Sequence, residues 1–204
     1  MGKIKSALEI ALERTESVKS DKGSIGLFEA KQKGKKLANE FLDGVLTSRE
    51  TPASLEEAIK KEDGGARENL KRGIFDVLLS RITLPAAKEE LKRIETAGQG
   101  LVTVIGNKQF GEMIKQFNEV MSQYLDEAAQ YEEAIKRQYA PKLRQKEEEL
   151  ARRYGRQVKL DPFQDPEFVA FYNQHINALK ANYQAAVNQV REEAARFFEE
   201  EQGG

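Results

Sequence analysis

Phe110, Phe117, Tyr124 and Tyr131 recur every seven residues, and Ile114, Met121, Ala128 and Ile135 follow them, each four residues on. A 4-3-4-3 alternation of apolar positions keeps one face of an α-helix turned toward a partner, so the stretch predicts a long helix that is stable only against another. From Ile135 the stripe continues through Tyr139, Leu143, Lys146, Leu150 and Tyr154 in steps of 4-4-3-4-4. That change amounts to a four-residue insertion near Pro141, which relaxes left-handed supercoiling. Pro141 has no amide hydrogen and crowds the preceding turn, which predicts a kink. Gly155 supplies a stop. Asp165-Pro166-Glu167 supplies a start: an Asp cap, Pro at the first helical position and an acid in the first turn. Beyond it Phe168, Tyr172, Ile176, Leu179, Tyr183, Val187, Val190, Ala194 and Phe198 follow an eleven-residue period.

A connection of about ten residues makes the two helices antiparallel neighbours. A fold-back symmetrical about position 160 sets Leu179 against Pro141, Tyr183 against Arg137 and Phe198 against Ser122. Phe110, Ile114 and Phe117 then lie beyond the end of the last helix and must dock on the N-terminal half.

In that half, Ile4, Leu8, Ala11, Leu12 and Thr15 predict a helix ending in the polar stretch 17–24, and Leu37, Phe41 and Leu42 mark a second helix from about Leu27 to Leu46. Ser54-Leu55-Glu56-Glu57 reads as a capping box opening a short helix that stops at Asp63-Gly64-Gly65. Leu70, Ile74, Phe75, Val77, Leu78, Leu79 and Ile82 form the most apolar helix. Pro85 suits the first position of the next, from Ala86 to about Thr96, with Gly98-Gln99-Gly100 as its stop and Leu101 to Ile105 as an extended connector. The expected fold is all-α: a helical N-terminal body over 1–106 and a projecting antiparallel, coiled-coil-like hairpin over 107–204, with its tip at about 155–165.

Charge narrows the partners. Lys+Arg 33 against Asp+Glu 34 leaves a net charge of −1, too little for a global field toward nucleic acid or acidic lipid. The absence of Cys excludes disulfides, thiolate zinc sites and Cys nucleophiles, and suits a cytoplasmic setting. No run approaches the ~18 apolar residues of a membrane span. Gly2 and Ser6 fit a myristoylation pattern, which the start of an ordinary amphipathic helix also matches by chance.

Candidate chemistry is sparse. His175, the single histidine, has no metal-ligand spacing around it, so any metal site would have to be built of carboxylates. Gly98-Gln99-Gly100 lacks the Gly-Lys-Ser/Thr ending of a phosphate loop. Lys31, Lys33, Lys35 and Lys36 spread over more than one helix face without interleaved aromatics, the mark of a solvated surface. No catalytic, cofactor-binding or metal-ligating residue is assigned. The tyrosines are more suggestive, since all six lie between 124 and 183. Val158, Leu160 and Phe163 place three apolar side chains at the expected distal tip, as a contact site or dimer seam would. The plainer reading is that Leu160 and Phe163 cap the hairpin core.

The run from Lys3 through Ile4, Lys5, Ser6, Ala7 and Leu8 to Thr15, and the later Gly155, Asp161-Pro162 and Asp165-Pro166-Glu167-Phe168, resemble a family of uncharacterised bacterial all-helical proteins of about this length. The resemblance implies a bacterial, cytoplasmic setting and carries over neither an activity nor a functional residue. The expected function is a non-enzymatic interaction or scaffold protein working through the hairpin and through self-association, as a homodimer or other homo-oligomer, with a protein partner and neither nucleic acid nor membrane. The alternative is a holdase- or secretion-type chaperone with clients at the tip or groove. An enzyme whose site the sequence does not reveal ranks third.

Overall fold

The structure, a computed structural model, describes residues 7–46 and 51–203, with side chains from Ser24 to Val45 and from Thr51 onward. The expected contribution of Ile4, the Gly2/Ser6 pattern and all but Thr51 of the connection that Pro52 predicts over 47–51 lie outside the described residues. Among those described are six α-helices, one short 3-10 turn and no strand. The helices are α1 (Ala7–Leu46), α2 (Pro52–Lys60), α3 (Gly64–Ser80), α4 (Lys88–Ile105), α5 (Lys108–Tyr154) and α6 (Pro166–Gln202), with the 3-10 turn at Pro162–Gln164. The protein is all-α.

The two expected N-terminal helices are one. Polar residues between 17 and 24 do not end a helix unless a proline or a left-handed glycine accompanies them, and α1 runs through them. Its second half lies against α3 at very short range. A Cβ added at Gly34 would stand 2.1 Å from the Leu70 carbonyl oxygen, and one at Gly73 would stand 2.1 Å from that of Lys31. The two backbones therefore touch, each glycine clearing space for the other helix. Ala38, Leu70, Ile74 and Leu78 are fully buried around this crossing.

The capping box of α2 sits one turn earlier than expected. Thr51 Oγ1 accepts from the Ser54 amide at 3.3 Å, and Ser54 Oγ accepts from the Thr51 amide at 3.1 Å. Ser54 is thus the third helical residue rather than the cap, because Pro52, with its preset φ and missing N–H, takes the first helical position.

Helix α4 departs furthest from expectation. Pro85 is buried in the connection before it, and the helix opens only at Lys88, with Ala87 as its cap. Gly98 and Gly100 do not stop it. A Cβ at Gly98 would meet Ile114 Cγ2 at 2.8 Å, and one at Gly100 would meet Leu78 Cδ1 at 2.7 Å and Phe41 Cε1 at 2.9 Å. These glycines admit the side chains of α5, α3 and α1, and their packing outweighs the ~1 kcal/mol that glycine costs inside a helix. Leu101, Val104 and Ile105 are buried helical residues rather than a connector. The stop falls at Gly106, whose φ of 71° suits glycine.

Helices α5 and α6 are antiparallel, but their register differs from a fold-back about position 160. Ring centroids of Tyr139 and Phe168 lie 5.2 Å apart, those of Tyr124 and Tyr183 5.0 Å, and those of Phe110 and Phe197 6.0 Å. In each pair the residue numbers total 307. Tyr183 thus meets Tyr124 rather than Arg137, and Phe110 lies alongside α6 rather than beyond its end. Pro141, inside an unbroken helix, falls level with the start of α6. The last 13 or so residues of α5, roughly 20 Å, overshoot α6 and pair with the returning connection instead.

The stripe also changes step earlier than expected. Phe110, Ile114, Phe117, Met121 and Tyr124 are buried in heptad order, but Tyr131 is 39% exposed. Glu132 takes the inward place, accepting from Tyr172 Oη at 3.4 Å. The face from Tyr124 runs through Ala128, Glu132, Ile135, Tyr139, Leu143 and Lys146, an eleven-residue period matching that of α6. At its far end α6 returns to the body, where Phe198 stacks on Phe75 with centroids 4.1 Å apart. Glu199, Glu200 and Glu201, whose charge against the C-terminal dipole predicts fraying, are held by Arg72, Arg196 and Lys71. One large core cluster draws on all six helices, and a smaller one gathers Ile135, Tyr139 and Phe168 in the distal hairpin.

Candidate functional site

Lys146 occupies an apolar position of the α5 stripe, and the reason is its partner. Its Nζ donates to both carboxylate oxygens of Asp165, at 2.9 and 2.8 Å, and to Glu167 Oε2. Asp165 is the cap of α6, accepting the Glu167 amide at 3.0 Å, and its second oxygen accepts Tyr139 Oη–H at 3.0 Å. Lys142 adds a contact to Glu167 at 3.1 Å. Asp165 is buried, so this network ties the cap of α6 to the middle of the distal arm.

The shifts within the network are those of a structural tie. Hydrogen bonds from Lys146 hold the Asp165 carboxyl below its ordinary range, and the same lysine, with Lys142, holds Glu167 down. Bonds to Asp165 and Glu167 push Lys146 upward. Burial and the Asp165 bond raise Tyr139. Each group is stabilised in one protonation state, whereas acid–base catalysis needs a group that exchanges protons near neutral pH.

The three sequence-predicted partner residues do not share one place. Val158 and Leu160 are half-buried, and the Leu160 amide donates to Glu147 Oε1 at 2.8 Å. Phe163 folds back onto the seam, its ring edge-on to Phe168 at 5.2 Å and to Tyr172 at 5.3 Å, with Lys136 Nζ 5.8 Å from its centroid. It is still 45% exposed. The distal extremity carries other residues: Tyr154, 61% exposed, with Arg152, Arg153, Arg156 and Lys159 exposed around the left-handed Gly155. The spacing of Glu148/Arg152 and Glu149/Arg153 predicts i,i+4 ion pairs, which hid this set, and neither pair forms among the described residues. The signal available was that no acid lies between Leu150 and Leu160.

Other sequence candidates have structural partners. His175 sets its ring against Phe171, centroids 4.5 Å apart, and no group of three metal-ligating side chains occurs among the described residues. Lys31 pairs with Asp76 at 2.8 Å, Lys33 with Glu62 and Lys36 with Glu40. An open cleft of about 420 Å³ runs between the hairpin and the connection before α4, lined by Leu84, Pro85, Ala128, Ala129, Ile176 and Lys180 among others. No helix among the described residues is long and apolar enough to cross a membrane.

Residues 56–196 match a family of unknown function, DUF6657. The chain belongs to that family. The matched stretch takes in more than half of α2, all of α3 to α5 and most of α6, so the Lys146–Asp165 tie and the distal end of the hairpin are within the DUF6657 region. No curated protein and no solved structure matches the chain.

Proposed function

We propose that the protein is a non-enzymatic interaction or scaffold protein of the cytoplasm that engages a protein partner through its helical hairpin. The observation that carries this reading is the placement of exposed aromatic side chains. Tyr131 and Tyr154, and the outer face of Phe163, are exposed along the distal half of the hairpin, and large exposed aromatics are characteristic of partner surfaces. The ionisable groups that converge in the same region are committed to holding the two arms together. Ile25, Leu27 and Phe28, exposed on α1, are the corresponding candidates for self-association.

A photo-crosslinking residue at Tyr131, Tyr154 or Phe163 is expected to trap one discrete partner in cells, while the same probe at Lys92 on α4 traps none. Equal labelling at all four positions would overturn the reading. The open cleft beside Ala128 and Ala129 favours a second reading, a holdase-type chaperone with clients in the groove. Suppression of aggregation of unrelated proteins, together with a broad smear of crosslinks, would select it over the scaffold.

A further inference from the structure

We infer that the distal end of the hairpin binds an acidic, partly apolar segment of a partner protein. This rests on the interaction reading above and names the chemistry of the partner. Between Leu150 and Leu160 the chain holds four cations and no acid. Arg152, Arg153, Arg156 and Lys159 are all exposed, and no ion pair among the described residues involves any of them. Other cations, Arg81, Lys92, Arg93 and Arg191 among them, also make no ion pair among the described residues, but these four are gathered in one acid-free run of the chain. Arg152 and Arg153 complement the C-terminal dipole of α5. Arg156 and Lys159 lie past the helix and have no such role.

Three features select the partner. Three of the four cations are arginines, whose planar fork matches carboxylates in pairs, and an exposed tyrosine sits among them; Arg and Tyr are the residues that dominate protein interfaces. Beside Arg153 opens a cleft of about 400 Å³ with Leu150, Leu160 and Pro166 as apolar walls and Glu149, Lys146 and Asp165 as polar ones; it has room for an apolar side chain of the segment, whose carboxylates lie outside it on the arginine side. Finally, Glu147, Glu148 and Glu149 form an acidic collar immediately behind the basic end. A nucleic acid strand continuing past the tip would run into that collar, and a flat anionic membrane would meet only four charges with no second anchor. A short segment that turns only an apolar side chain toward Glu149 keeps its carboxylates on the arginines.

The test uses the full chain and a fluorescent peptide alternating Glu and Leu, with binding read by anisotropy at low and high salt. Binding is expected, weakened about tenfold by Arg152→Glu/Arg153→Glu/Arg156→Glu and by added salt. Lys92→Glu/Arg93→Glu on α4 should leave it unchanged, and Leu160→Ala should weaken it several-fold. Arg156→Ala/Lys159→Ala spares the α5 terminus and should also weaken binding, so a frayed helix end is not mistaken for the result. Absence of binding, or equal binding by the tip and α4 variants, overturns the inference. So does tip-dependent binding of a thymidine oligonucleotide or of phosphatidylglycerol vesicles in place of the peptide. If hairpin crosslinks to a discrete partner persist in the triple variant, the interaction reading stands and the acidic-segment inference alone fails.

Discussion

The body and the distal hairpin are both helix against helix, yet they are held by opposite means. In the body α1 and α3 approach until backbone meets backbone, with Gly34 and Gly73 at the crossing and fully buried Leu70, Ile74 and Leu78 around it. In the distal hairpin the arms are spaced by rings, Tyr139, Phe163, Phe168 and Tyr172, and locked by one ionic cluster at Lys146 and Asp165. Backbone contact tolerates no added atom. Ring-and-charge packing depends on a few buried rings and answers to pH. The first suits a fixed platform and the second an arm that meets other molecules.

The largest expected effect separates the two regions directly. Phe168→Ala removes the fully buried ring at the centre of the distal cluster and should cost about 3–5 kcal/mol there. Amide exchange is expected to accelerate in the distal arms while α3 and α4 stay protected. Equal loss of protection throughout would show a single cooperative unit and erase the contrast. Gly73→Ala is the reciprocal break. A methyl group aimed at the Lys31 carbonyl should cost about 1–3 kcal/mol, lowering the melting temperature by a few degrees in a circular-dichroism scan. An unchanged melting curve would mean that the helices do not touch there.

Acid should sharpen the difference. The Asp165 and Glu167 carboxyls titrate below their ordinary values in the folded chain, so the folded state binds fewer protons than the unfolded state as pH falls through about 4. Their contribution is present above that pH and is lost progressively below it. Lys146 and Tyr139 are shifted upward, and their contribution is lost as pH rises through about 10. Distal amides should thus lose protection at both extremes while those around Ile74 do not. Asp165→Asn should abolish most of the acid response of the distal amides. The smallest effect tests the register. Tyr131→Ala should change stability by no more than about 0.5 kcal/mol, whereas Tyr124→Ala, one heptad away and buried against Tyr183, should cost several times more.

Much of this was legible in the residues. The apolar faces of α3 and α6, and of α5 apart from Tyr131, lie where their periodicities place them, and Asp165-Pro166-Glu167 starts α6 with the cap it announces. What escaped depends on distances that spacing does not encode. Gly98 and Gly100 carry the same letters as a helix stop, and only the arrival of Ile114, Leu78 and Phe41 makes them contact points. The hairpin register was hidden because a ten-residue connection does not reveal that it runs back along α5. Lys146 was the available clue: a cation in an apolar stripe implies a buried anion opposite, and the capping aspartate of α6 was the nearest one.

The Lys146–Asp165 tie has an evolutionary consequence. It closes the base of everything from Glu147 to Gln164, so that segment behaves as a cassette set on a finished stem. Doubling such a closed loop costs only about 0.6 kcal/mol of chain entropy. A descendant could therefore lengthen, shorten or recharge the cassette, and so change the chemistry at the distal end, while the stem beneath it kept its shape.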